Sequence, residues 1–253
     1  MLTASTPIVI GATGGSGTRV IAAILRRAGF FLGTNLNDAI DSQEFPQLYD
    51  RWINRYILRD VAPLCAEEEA LMAADFRASI DRHRSTMPAP HGPWAWKEPR
   101  SIYLLPFLNQ QFPEMKFIHV VRDGRDMAFS KNQNQVRKHG HALLRVAPGD
   151  CPEPLRSALL WAAINAQAAA YGETQLHGRY LRIRYETLCA DPVNSVREIL
   201  DFAGVDKGPN AVELAGEISS APSIGRWRTM ADPSIIESIH SRIGPALQRF
   251  GYV

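Results

Sequence analysis

Phe117-Ile118-His119-Val120-Val121-Arg122-Asp123-Gly124-Arg125-Asp126-Met127-Ala128-Phe129-Ser130 decides the fold. Its first five residues form a nearly unbroken apolar run, as expected of a strand buried on both faces. Asp123-Gly124 ends the run, and a helical turn is expected to bring up Ser130. Arg122 then presents a planar donor fork at the carboxyl end of the strand, where a serine hydroxyl eight residues later can share one anion with it. Nearer the N-terminus lies a second junction of the same kind. Apolar Pro7 to Ile10 runs into Gly11-Ala12-Thr13-Gly14-Gly15-Ser16-Gly17-Thr18-Arg19, followed by a helical pattern. Glycines tolerate positive φ and let several N–H groups converge on an anion. Ser16 and Thr18 add hydroxyls, and a helix starting near Thr18 adds its positive end. Two strand-to-helix anion sites in one chain point to a doubly phosphorylated ligand.

The glycine turn admits two other readings. The P-loop signature requires Lys and then Ser or Thr directly after Gly17, whereas Thr18-Arg19 stands there, which disfavours a nucleotide triphosphatase. Gly-Ala-Thr-Gly-Gly-Ser-Gly also resembles the turn of atypical NAD(P)-binding reductases. Such a site needs a second strand ending in an acid or arginine about 20 residues on. Here Phe30-Phe31-Leu32-Gly33 leads into Thr34-Asn35-Leu36-Asn37-Asp38, and the chain contains no Tyr-x-x-x-Lys.

Strands are expected at about 7–11, 94–97, 116–121 and 179–184, and helices at about 18–28, 101–111, 124–131, 154–173 and 192–203. This alternation implies an α/β fold, a three-layer sandwich with a central parallel sheet and helices on both faces. Ligands collect at the carboxyl ends of such strands, where the glycine turn, Lys97 and Arg122 all fall. One domain over 1–253 is the simplest organisation, with a helical insertion at about 43–87 whose Phe45, Leu48, Tyr49, Trp52, Ile53, Tyr56 and Ile57 recur at helical spacing and should face the core. Pro88 to Pro93 reads as a rigid connector. Arg125 reads as an ion-pair partner of a neighbouring aspartate, His119 as a satisfied core residue, and the segment holding His139 and His141 as a mobile loop.

The 253 residues carry a net charge of +2 and 45% apolar content, enough for a full core and too little charge to demand nucleic acid or membrane. Cys65, Cys151 and Cys189 are odd in number and far apart, which suggests neither a disulfide framework nor a metal site. Without a basic-then-apolar leader or an 18-residue apolar run, a cytoplasmic protein is expected.

Five segments together resemble the sulfotransferase family: Ser16-Gly17-Thr18 in its glycine loop, Trp96-Lys97-Glu98-Pro99-Arg100, Arg122 to Ser130, Arg184-Tyr185-Glu186-Thr187-Leu188 with Ala190-Asp191-Pro192, and Ile224-Gly225-Arg226-Trp227-Arg228. The resemblance implies a P-loop nucleoside triphosphate hydrolase-like sheet and transfer of a sulfuryl group from 3′-phosphoadenosine 5′-phosphosulfate to a hydroxyl or amine, releasing adenosine 3′,5′-bisphosphate without a metal. It implies that Gly14, Gly15, Ser16, Gly17 and Thr18 hold the 5′-phosphosulfate and that Arg122 and Ser130 hold the 3′-phosphate. Tyr185 would lie beside adenine, and the loop of Ser223, Ile224, Gly225 and Arg226 would close over the 3′-phosphate. Family members commonly carry Lys or Arg where Gly15 stands, so Arg19 or Lys97 must supply that charge. Lys97 is the expected catalytic cation, with Arg100 as a possible assistant. Asp41 is the expected general base among Asp38, Asp41 and Glu44, which would share one face of a helix, with Glu98 as the alternate. The family leaves the acceptor open among small molecules, carbohydrates and peptides. An NAD(P)-dependent reductase and a non-catalytic nucleotide-binding module are the alternative functions, and no motif sets the oligomeric state.

Overall fold

In a computed structural model, residues 6–145, 149, 151–205, 210–216, 218, 222–230 and 232–253 are described. Four strands, β1 (Ile8–Ala12), β2 (Ala95–Lys97), β3 (Lys116–Val121) and β4 (Tyr180–Arg184), form one sheet in the order β2-β1-β3-β4, parallel throughout. Each strand lies within a residue of the bounds expected from sequence. The helices in chain order are α1 (Thr18–Arg27), α2 (Pro46–Ile57), α3 (Ala66–Arg84), α4 (Leu105–Gln111), α5 (Gly124–Ala128) and α6 (Asn134–Leu144). They continue with α7 (Glu153–Tyr171), α8 (Tyr185–Ala190), α9 (Pro192–Ala203), α10 (Asn210–Ala215), α11 (Trp227–Met230) and α12 (Pro233–Arg249).

The two-residue period of the strands assigns the layers. Ile8, Ile10, Ala12, Ile118 and Val120 point to one face, where α1 and α9 cover them with Ile21, Ile24, Leu25, Val196 and Ile199. Val9, Trp96 and Phe117 point to the other, against Phe45, Tyr49 and Trp52 of the α2 region and Phe76 of α3. Burying each large apolar side chain contributes about 1.5–3 kcal/mol, which explains why neither face needs a polar residue. Two polar strand residues are buried all the same, Lys97 at the end of β2 and His119 in β3, and His119 is satisfied on both nitrogens, 2.7 Å from the Tyr180 hydroxyl and 2.7 Å from Asn165 Oδ1. A third cluster joins α5, α7 and α12 around Trp161, whose Nε1 donates to the Arg122 carbonyl at 2.8 Å and fixes the strand end. Of the insertion's expected core residues, Phe45, Leu48, Tyr49, Trp52, Ile53 and Tyr56 are buried, and Ile57 packs partly buried against them.

Three expectations need correction. The helix after Arg122 stops at Ala128, because Gln133 Nε2 donates to the carbonyls of Met127, Ala128 and Ser130 at 3.1, 3.3 and 2.7 Å and so satisfies the helix end early. The segment holding His139 and His141 is not a loop but helix α6, with Val136, His139 and Ala142 buried. Asp38, Asp41 and Glu44 share no helical face. Residues 33–45 form an irregular turn in which Leu36 bridges Ser42, Asp38 is exposed, Glu44 approaches buried His83 and Asp41 turns toward Lys97. Among the described residues, no helix is long and apolar enough to cross a membrane, and no His, Cys, Asp or Glu group could hold a metal.

Candidate active site

The glycine turn follows β1 directly. Gly15 and Gly17 have φ of 89° and 88°, a region that disfavours side chains, and Gly17 is the residue from which α1 starts. A Cβ on Gly17 would lie 2.2 Å from Tyr185 Cδ2, so the turn packs directly on that ring. Ser16 is fully buried, and its hydroxyl donates to the Thr13 carbonyl at 2.7 Å, so it braces the turn from within. Thr18 is buried at the helix start, and Arg19 is exposed on the first turn.

The second anion motif reaches the same turn. Arg122 Nη1 donates to the Gly15 carbonyl at 3.3 Å, and its guanidinium lies 4.9 Å from the Tyr185 ring. Nη2 donates to Ser223 Oγ at 2.8 Å, and Nε is buried without a partner. Ser130 Oγ would be 3.4 Å from a Cβ on Gly15 and accepts the Asn132 N–H at 3.2 Å. Arg226 Nε donates to the Ser223 carbonyl at 3.1 Å. Burial, then the positive charge of Arg122, hold the Arg226 pKa below its ordinary value, against the opposing pull of Asp126. Both guanidiniums thus bond Ser223, Arg122 through its hydroxyl and Arg226 through its carbonyl, and Ile224 in the same turn is exposed. Arg125, by contrast, is taken up by Asp123, with Nη2 2.7 Å from Oδ2.

On the other side of the turn, Lys97 ends β2 with only 2% exposure. Its Nζ donates to Asp41 Oδ1 at 2.5 Å and to the Ala39 carbonyl at 2.7 Å. Burial lowers the Lys97 pKa, Asp41 and Glu98 oppose that shift, and the charge of Arg19 adds to it. Asn37 shapes the segment that delivers Asp41: its Oδ1 accepts the N–H groups of Ala39 and Asp41, while Nδ2 donates to Asp41 Oδ2 at 2.9 Å. Between them Ile40 sits at φ 61°, where a β-branched residue is strained. Glu98 is buried, and both oxygens are occupied by Arg100, with Nε and the backbone N–H at 2.8 Å. Burial raises the Glu98 pKa in spite of Arg100. Arg100 also reaches Asp50 at 2.5 Å, and Lys138 meets the same carboxylate at 2.8 Å.

Asp41, Glu98, Arg100 and Lys138 line an open cleft of about 230 Å³ beside Gly14, with Asn37, Gln43, Asn132, Asn134 and Gln135 among its walls. Sequence reasoning missed the amides. Asn132, Asn134 and Gln135 lie beyond the segment read for anion binding, the last two on the first turn of α6 and Asn132 just before it. Asp126, one helical turn beyond Arg122, stands 3.7 Å from it, and nothing in the sequence marks it as part of the site.

A profile described as the sulfotransferase family matches residues 7–209. Carbohydrate sulfotransferase 3 of Mus musculus is 22% identical over 171 residues, covering 59% of this chain and 36% of that protein. Carbohydrate sulfotransferase 5 of Mus musculus is 26% identical over 183 residues, covering 59% and 44%. The match therefore spans less than half the length of these relatives. Among solved structures, a sulfotransferase from Mycobacterium avium superposes with a TM-score of 0.56 at 15% identity, over 97% of this chain and 77% of that one. A sulfotransferase from Alicyclobacillus acidocaldarius gives 0.52 at 16% identity, over 97% and 94%. At these identities the likeness is one of fold, a parallel sheet of the P-loop-like kind between helical layers. The profile match extends from the first strand through the end of α9, and on it the chain belongs to the sulfotransferase family.

Proposed function

We propose that the chain moves a sulfuryl group from 3′-phosphoadenosine 5′-phosphosulfate to a hydroxyl of a neutral, hydroxyl-rich acceptor of carbohydrate type, releasing adenosine 3′,5′-bisphosphate. One observation carries the donor assignment. Arg122 bonds the glycine turn at Gly15 while its buried Nε has no partner, and Arg226 meets the same Ser223, so that one positive charge beyond what Asp126 offsets is left for a phosphate to relieve. In this reading, the N–H groups of Gly14 to Thr18 hold the 5′ end, and Arg122, Ser130, Ser223 and Arg226 hold the 3′-phosphate. Tyr185 flanks the adenosine. The donor brings an electrophilic sulfur and a phosphate leaving group.

The chain's own residues then divide the work. Asp41 takes the proton of the acceptor hydroxyl as its oxygen attacks sulfur, the new O–S bond forming while the bridging S–O bond breaks. A carboxylate offers about four lone-pair directions, so the bonds to Lys97 and Asn37 leave Asp41 able to accept that proton. Lys97 stabilises the negative charge that develops on the bridging oxygen, an interaction stronger in the transition state than in the ground state. Exposed Arg19, whose charge already acts on Lys97, adds to the positive field that a basic residue in place of Gly15 would supply. Glu98 serves to hold Arg100.

The acceptor assignment rests on charge balance. Lys97, Arg100 and Lys138 pair with Asp41, Glu98 and Asp50, so these side chains contribute no unpaired charge to the cleft. Its other polar walls are amides, which both donate to and accept from hydroxyls, and its lining contains no aromatic ring. Relatives named carbohydrate sulfotransferases support this choice. A screen with radiolabelled donor should label neutral saccharides in preference to phenols, sterols and anionic glycans. Preferential labelling of a phenol would overturn the acceptor assignment, and a chain that labels nothing and binds no donor would overturn the whole reading.

A further inference from the structure

Asp126 is 1% exposed, one helical turn beyond Arg122. Its Oδ2 accepts the N–H of Gly225 at 2.8 Å, and its Oδ1 accepts that of Trp227 at 3.3 Å. Both donors belong to the turn that carries Ser223 and Arg226, about 100 residues away in sequence. Within the turn, Arg226 bonds the Ser223 carbonyl. To the sheet end, Arg122 reaches Ser223 Oγ at 2.8 Å. Thus, of the three hydrogen bonds described between this turn and the Arg122–Asp126 segment, two end on one carboxylate. The same carboxylate lies 3.7 Å from Arg122 and opposes the shift of Arg226, so it also offsets the repulsion between the two arginines.

We propose that Asp126 is a positioning residue that latches the Ser223 to Trp227 turn over Arg122, so that the 3′-phosphate subsite is assembled before nucleotide arrives. The inference rests on the proposed function in one respect, that the ligand of this subsite is a 3′-phosphate. Preorganisation removes an ordering cost from binding, and the benefit falls only on ligands that touch the ordered part. Asp126 itself touches no nucleotide in this scheme. Its carboxylate repels an anion directly, so a latch and a mere counter-charge predict opposite outcomes when it is removed.

Calorimetry with adenosine 3′,5′-bisphosphate and adenosine 5′-monophosphate separates them. Asp126→Ala should weaken bisphosphate binding at least tenfold and leave the monophosphate within about twofold, because two hydrogen bonds to a charged acceptor are lost at the 3′ end alone. Asp126→Asn, which keeps one acceptor oxygen, should recover part of the loss. Bisphosphate binding that is unchanged or tighter in Asp126→Ala shows a counter-charge only and overturns the latch. Should the buried substitution prevent folding, Gly225→Ala loosens the turn through its own backbone. Gly225 has φ 77°, and a Cβ there meets nothing closer than 3.8 Å, so backbone strain is the main perturbation. That variant should lose about fivefold or more for the bisphosphate and nothing for the monophosphate. A wild-type chain that does not prefer the bisphosphate removes the donor assignment and the latch together, whereas a preference that survives in both variants removes the latch alone.

Discussion

Replacing Gly17 with Ala probes the joint between the two halves of the site. The perturbation has two separable parts. Gly17 has φ 88°, so an alanine there accepts a left-handed backbone costing about 1–2 kcal/mol. Its Cβ would also sit 2.2 Å from Cδ2 and 2.3 Å from Cε2 of Tyr185, so the ring must move. Tyr185 is buried, with the Arg122 guanidinium 4.9 Å from its centroid, and forcing extra volume into such packing costs about 1–3 kcal/mol. Together Gly17→Ala should destabilise the chain by about 2–5 kcal/mol. A double-mutant cycle in urea isolates the steric part. In a Tyr185→Ala background the ring is gone, only the backbone cost remains, and the coupling between the two substitutions should be about 1–3 kcal/mol. Strict additivity of the two penalties, or a neutral Gly17→Ala, would refute the claim that the glycine turn rests on the ring beside Arg122.

Two further outcomes follow from the same geometry. Lys97→Met should lower sulfuryl transfer about 10²–10³-fold while changing bisphosphate affinity by no more than about threefold; equal loss of both would move Lys97 from catalysis to nucleotide binding. His119 has its pKa pushed down to about 4, by burial first, with Asn165 and Glu173 opposing and Arg182 assisting. Between pH 6.5 and 4 the unfolded chain takes up a proton that the native one refuses, so the stability tied to His119 is complete above about pH 6.5 and is lost as pH falls, by about 3 kcal/mol. Urea titrations at pH 7 and 4.5 should therefore show a smaller pH-dependent loss in His119→Gln than in the wild type, and equal losses would contradict the buried neutral imidazole.

The strands were legible because a parallel sheet covered on both faces leaves continuous apolar runs, as in Phe117 to Val121, ended by residues that cannot continue the pattern. The meeting of Gly15 and Arg122 was legible from topology, since adjacent parallel strands β1 and β3 deliver their carboxyl ends to one place. The acidic segment was misread for a local reason. Its three-residue spacing imitates a helix, but Asn37 captures the backbone of Ala39 and Asp41, and Ile40 takes a left-handed turn that no helix contains. Helix α6 was hidden by its many polar residues and by Gly140. Its burial comes from contacts of its apolar side and of His139, whose Nδ1 meets Asn54 Oδ1 at 2.8 Å. Asp126 was visible as a residue and invisible as a tether, because its partners are backbone N–H groups, which leave no trace in side-chain identity.

In the proposed reaction the Gly15 turn and Arg122 grip opposite ends of one doubly phosphorylated nucleotide. Isothermal titration of the wild type and Arg122→Met with adenosine 3′,5′-bisphosphate, adenosine 5′-monophosphate and NADPH decides whether they do. Bisphosphate binding should be micromolar or tighter and at least tenfold stronger than that of the monophosphate, a preference abolished by Arg122→Met, with no response to NADPH. Equal affinity for the two adenosine phosphates in the wild type, or tighter binding of NADPH, would contradict that arrangement.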